Sequence, residues 1–270
     1  MHITVEPHDD HAILHLRGEF DTYYVHLLQE EVDGILKSGV KNVVLNLRMV
    51  KFINSTALGA IIKASRSLTG QGGKLAISRP SSFCRDIIEK VGLDRVVPVH
   101  DNDEEAIAAM ASGEASPTKE GGDPFEEDKS SVLFTLMDGE RLGHFIPKTK
   151  ATNPVHGHSF GNAWSGVGRM AGLDEDGLRF TWSGGNTDLS AFDMGQMLSI
   201  GTRLKVKFRL PLLKKGYLEA EVESELVEER AEGVKVGAHF VSIDDETRDA
   251  VRQYSSDMAF LKEELRKATE

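Results

Sequence analysis

The segment "GEFDTYYVHLLQEEVDGILKSGVKNVVLNLRMVKFINSTALGAIIKA", Gly18–Ala64, decides how the first half of the chain folds. Leu27, Leu28, Val32, Ile35 and Leu36 recur at helical spacing, and Gly39 follows as a stop. Val43–Leu47 is an unbroken apolar run and reads as a buried strand. The polar triplet Asn54-Ser55-Thr56 then stands before a second helical pattern, Ala57–Leu68, with Leu58, Ile61, Ile62 and Leu68 on one side. Helix, strand and helix in this order predict a sheet covered by helices.

The flanks extend the alternation. His11–Leu16 reads as a strand ending at Gly18, and Lys74–Ser78 as another. Ser81–Val91 is a helix that Gly92 closes. Val96–Val99 is a short edge strand, because Pro98 cannot donate to a ladder from a central position. Asp103–Met110 is a last helix. Residues 113–131, GEASPTKEGGDPFEEDKSS, are almost free of apolar side chains and read as a flexible acidic linker. The domains are therefore set at 1–112 and 132–270.

After Ser131 the pattern changes. Val132–Leu136, Gly177–Trp182, Leu204–Leu210, Leu218–Val227 and Val234–Val241 are strand-like and separated by glycines and polar turns. Strands so spaced, without helices between them, predict a small antiparallel β-barrel or a sandwich. Asp244 or Asp245 caps a final helix with Val251, Tyr254, Met258, Leu261 and Leu265 on its apolar side. That helix either packs on the barrel or pairs with a second copy in a homodimer.

Composition excludes several classes. The 270 residues are 40% hydrophobic and 28% charged, with a net charge of −11. An acidic chain is a poor partner for nucleic acid or anionic lipid. Cys84 is the one cysteine, so no intrachain disulfide forms. No apolar run is long enough to span a bilayer and no signal peptide is recognisable, so a cytoplasmic protein is expected. No G-x-S-x-G or P-loop occurs, and a non-enzymatic role follows. Gly166–Ala171 fits G-x-G-x-x-A but precedes no helix. His156 and His158 offer two metal ligands without a third.

Asn, Ser and Thr are the preferred helix N-caps. The start of a helix also favours added negative charge. A phosphate there would bring about two negative charges to the surface and expel a docked partner. The position therefore suits a phosphorylation switch.

The Gly18–Ala64 segment, continued by "RPSSFCRDIIEKVGLDRVVPVHDNDEEAI", resembles the STAS domain of anti-sigma factor antagonists. That resemblance implies an α/β fold with a mixed sheet over residues 1–110. It implies phosphorylation of Ser55, and an anti-sigma factor or serine-kinase-type regulator bound around Asp21, Asn54, Ser55 and Thr56. Asn46 and Asn54 stand where the family has Asp, and Ala57 where it has Gly.

"GRMAGLDEDGLRFTWSG", "IGTRLKVKFRLP" and the run from Glu219 to Tyr254 resemble a PilZ domain, which implies an antiparallel barrel closed by a C-terminal helix. PilZ domains bind cyclic di-GMP through an Arg-x-x-x-Arg stretch and an Asp/Asn-x-Ser-x-x-Gly motif. Here the second aligns with Gly172–Gly177, where only Gly177 matches, and Asp174 and Asp176 oppose a dianionic ligand. No Arg-x-x-x-Arg precedes it, because Arg141 is followed four residues on by Phe145. The domain reads as degenerate, a protein-interaction or regulatory module. Trp164, Phe160 and the Gly184–Gly201 insert are its contact candidates, and the insert is expected to hold a short helix. A divergent cyclic di-GMP site would draw on Lys148, Lys150, Arg169, Asp174 and Gly177.

Overall fold

The computed structural model of the chain describes residues 1–112, 131–146, 160 and 163–269. Lys148, Lys150, His156, His158 and nearly all of the expected linker lie outside them. The chain divides into two units, Met1–Pro124 with Ser256–Glu270, and Phe125–Ser255. The residues after Ser255 thus group with the first unit, although 132–270 reads in sequence as one segment.

The first unit begins with β1 (His2–Pro7) and β2 (His11–Phe20), then α1 (Val25–Lys37), β3 (Asn42–Ile53) and α2 (Ser55–Gly70). It continues with β4 (Lys74–Ser78), α3 (Ser82–Val91), β5 (Val99–His100) and α4 (Asp103–Ser112). The sheet order is β1-β2-β3-β4-β5. β1 is antiparallel to β2, and the other pairings are parallel, so the sheet is mixed as expected. Parallel strands are covered on both faces and are apolar almost throughout. Accordingly Val43, Val44, Leu45 and Leu47 are fully buried. Ile13, Val44 and Ala76 on the sheet meet Ala106 and Met110 of α4 in one cluster.

Two strands run further than the sequence pattern indicates. Gly18 does not end β2. Its φ of +103° lets the strand shift register against β3 and continue to Phe20. β3 likewise runs on past Leu47, through the exposed Arg48, Met49 and Lys51, to the buried Ile53. α3 has the boundaries its caps dictate: Ser81 Oγ accepts from Cys84 N–H, and Gly92 closes it in the left-handed region. Cys84 is buried, and burial pushes its thiol up, so it is an unreactive packed side chain.

Asn46 explains itself at the end of the central strands. Its Nδ2 donates to both carboxylate oxygens of Asp103, at 2.8 and 3.0 Å. Ser78 Oγ donates to the same carboxylate at 2.5 Å. A carboxylate at position 46 would face Asp103 instead of donating to it, so this chain needs the amide.

The second unit holds β6 (Ser131–Leu136), α5 (Gly139–Phe145), β7 (Gly166–Leu173), β8 (Gly177–Trp182) and α6 (Ala191–Met197). β9 (Arg203–Phe208), β10 (Leu218–Arg230) and β11 (Gly233–Ile243) follow, and then α7 (Asp245–Thr269), of which the part up to Ser255 belongs to this unit and the rest to the first. The strands close into an antiparallel barrel, β10-β11-β8-β7-β6-β9, which decides between barrel and sandwich. Its core is aromatic. Phe134 stands 5.1 Å from Phe180 and 5.2 Å from Trp182, and Trp164 lies 5.9 Å from both Phe134 and Trp182. Trp164 is therefore core and not a contact residue. A Cβ at Gly166 would enter the Phe134 ring, and one at Gly168 would lie 2.7 Å from Phe180. The G-x-G-x-x-A pattern is barrel packing.

The insert does hold a helix, α6. Ser190 and Asp193 form a reciprocal capping box, and Met194, Met197 and Leu198 are buried. Arg141 donates to Met197 O and Gln196 O, fixing α5 to the end of α6. Asp244 caps α7, accepting from Thr247 N–H at 2.8 Å.

Asn46→Asp should lower stability by about 3 kcal/mol at neutral pH, the scale of two close carboxylates in a partly buried site. The repulsion raises the pKa of the pair, so the missing stability returns as pH falls towards about 4. Urea unfolding of both proteins between pH 4 and 8 checks this. A pH-independent difference would contradict it.

Candidate functional site

The start of α2 is built by Asn54. Its backbone is extended, and its Oδ1 accepts from Ala57 N–H at 2.9 Å. Its Nδ2 donates to Thr22 Oγ1 at 3.1 Å, and its N–H donates to Phe20 O at 3.3 Å. Asp21 in turn accepts from Tyr23 N–H at 3.1 Å and caps the short turn Thr22–Tyr24. The turn after β2 and the turn after β3 are thus joined. Asp21, Asn54, Ser55 and Thr56 therefore lie in these two adjoining segments.

Asn54, and not Ser55, is the cap. Ser55 is the first helical residue and is 3% exposed. The first N–H groups of a helix have no intrahelical partner and carry the positive end of its dipole. An anion on Ser55 Oγ would sit in that field. Tyr23, within that turn, is 81% exposed, a position that sequence reading passes over. Its type gives no warning, since aromatic side chains at such positions are usually core.

A second candidate lies on the barrel. Asp174, Asp176, Gly177, Leu178, Arg179, Glu225, Leu226, Gly237, Ala238 and His239 line a groove of 380 Å³. Asp174 and Gly177 both line it. Arg169 projects from β7 as an exposed residue and is not part of the lining. Arg179 and His239 are lining residues that sequence reasoning missed. Their cationic capacity faces inward: Arg179 pairs with Asp174 at 3.2 Å, and His239 Nδ1 lies 3.6 Å from Glu225. Gly177 has a backbone reason, because a Cβ there would collide with Ala238 O of β11. Among the described residues no group of His, Cys, Asp or Glu is placed to hold a metal, and no helix is long and apolar enough to cross a membrane.

Residues 2–106 match the model of the STAS domain. A Thermotoga maritima protein, described provisionally as an anti-sigma factor antagonist, is 31% identical over 100 residues, 37% of this chain and 88% of that one. The chain belongs to the STAS family. The anti-sigma F factor antagonist of Paenibacillus polymyxa is 24% identical to its STAS domain over 111 residues, 41% of this chain and 95% of that protein. The barrel half is similar to the PilZ domain of YcgR from Escherichia coli, solved with cyclic di-GMP. That match has 12% identity, covers 52% of this chain and 87% of that one, and has a TM-score of 0.29. The PilZ-like description of the second unit rests on its own closed barrel and terminal helix, and on the sequence motifs.

Asn54→Ala removes the cap and the tie to Thr22. It should cost the STAS domain about 1 kcal/mol, with a fall in Tm of roughly 4–8 °C. Thermal unfolding checks this, and an unchanged Tm would show that the turn is held elsewhere.

Proposed function

We propose that this is a non-enzymatic bacterial signal-transduction protein of the anti-sigma factor antagonist type. Its STAS domain binds an anti-sigma factor or serine-kinase-type regulator on the surface of Asp21, Asn54, Ser55 and Thr56, and phosphorylation of Ser55 releases that partner. The carrying observation is that Asn54 takes the cap and leaves Ser55 as the first helical residue, at the positive end of the helix dipole, where an anion is favoured. The serine stands where the family motif has its phosphorylated residue. A phosphate is thus compatible with the fold while its charge and bulk oppose a docked partner. Residues 113–131 separate this module from the PilZ-like barrel, which acts as a protein-interaction or regulatory module. The protein works in the cytoplasm.

The alternative, an effector that binds cyclic di-GMP at a divergent site, has weaker support. The groove that would take the nucleotide presents Asp174, Asp176 and Glu225, with Arg179 already paired. Two ligand phosphates would meet net negative charge there.

Affinity capture from native lysate, with wild type beside Ser55→Ala and Ser55→Asp, tests the reading. A serine-kinase-type or anti-sigma partner should be retained by wild type and Ser55→Ala. It should be depleted at least about tenfold on Ser55→Asp, the equivalent of ~1.4 kcal/mol. Equal recovery on all three would contradict it.

A further inference from the structure

α2 is buried almost all round. With about 100° per residue, Leu58, Ile61, Ser65 and Leu68 face the sheet, while Gly59, Lys63 and Arg66 face away, with Ser55 at the margin of that outward side. Lys63 and Arg66 are exposed as such positions should be, yet Gly59 is buried. Its cover comes from the other end of the chain, within the same unit. The Phe260 ring occupies the notch, with Cε1 2.6 Å and Cζ 2.8 Å from where a Gly59 Cβ would stand. Lys63 Nζ lies 5.7 Å from the centre of the same ring, within cation–π range. Next to Phe260 on α7, Leu261 and Leu265 are buried.

Phe260 keeps 37% of its surface exposed while Leu261 and Leu265 are buried, so lifting this segment exposes apolar area that a competing contact must offset. Glu264 is buried with its Oε2 lacking a hydrogen-bond partner, which penalises the docked state.

We propose that residues Ser256–Thr269 of α7 are a built-in strap on the outward side of α2, latched by Phe260 in the notch at Gly59. A kinase or partner reaches the Ser55 end of α2 only when this strap lifts. The proposal rests on the reading of Ser55 given above, but its physical part, the strap, is testable without any partner.

The test introduces Ser55→Cys into the full chain and follows its labelling by a soluble maleimide. Peptide mass spectrometry separates it from the buried Cys84. Phe260→Ala and Phe260→Asp are compared in that background, with thermal unfolding as the check on folding. Both should label about tenfold faster than the parent, the change that a loss of ~1.4 kcal/mol brings. Hydrogen exchange over residues 256–269 should be slow in the parent and fast in both variants. Unchanged labelling in variants whose residues 256–269 have been released would overturn the strap, as would fast exchange of those residues in the parent. Faster labelling combined with equal partner recovery on Ser55→Asp would leave the strap standing and remove only the Ser55 reading.

Discussion

The first unit's functional end depends on the side chain of Asn54. Asn54 accepts from Ala57 N–H through Oδ1 and from Leu58 N–H through its carbonyl, and it donates to Thr22 Oγ1 and Phe20 O. Together they fix where α2 begins, hold the turn after β2 against it, and set Ser55 one position inside the helix. An aspartate, the family's residue at this place, could accept both from Ala57 N–H and from the Thr22 hydroxyl, so either residue can cap α2 and hold the turn. The position of Ser55 is therefore a consequence of helix capping.

The same logic accounts for the other amide. Asn46 donates twice to Asp103, which also takes the hydroxyl of Ser78. In a partly buried network every polar atom must find a complement, and two acids there would compete for one set of donors. The Asp-to-Asn departure at position 46 thus has a local structural cause, and that at position 54 keeps the cap of α2.

Most of the fold was legible because its signals are strong and local. β4 and β8 are bounded as the apolar patterns indicate, and α3 begins and ends at its caps, Ser81 and Gly92. β1, β7 and α5 were not legible. β1 is an edge strand with alternating partial exposure, β7 is diluted by Gly166, Gly168 and Gly172, and α5 has only seven residues. At the candidate site, the motif located the start of α2 at Asn54 and Ser55. Two features were beyond its reach. Exposure of Tyr23 depends on the turn that Asp21 caps, and the cover over Gly59 comes from a residue some two hundred positions later. The barrel groove shows the same limit, since Arg179 and His239 enter it only through the pairing of β8 with β11.

The barrel keeps an aromatic interior and a closed set of strands, while the groove on it carries carboxylates where a dianionic nucleotide would need cations. That charge is why the proposed function rests on the STAS domain and on Ser55 rather than on the groove. The measurement that bears most directly on this is phosphopeptide mapping of the protein isolated from its own cells. The account predicts phosphate on Ser55, resolved from Thr56 by fragmentation. Phosphate confined to other residues, or none under any growth condition, would contradict it.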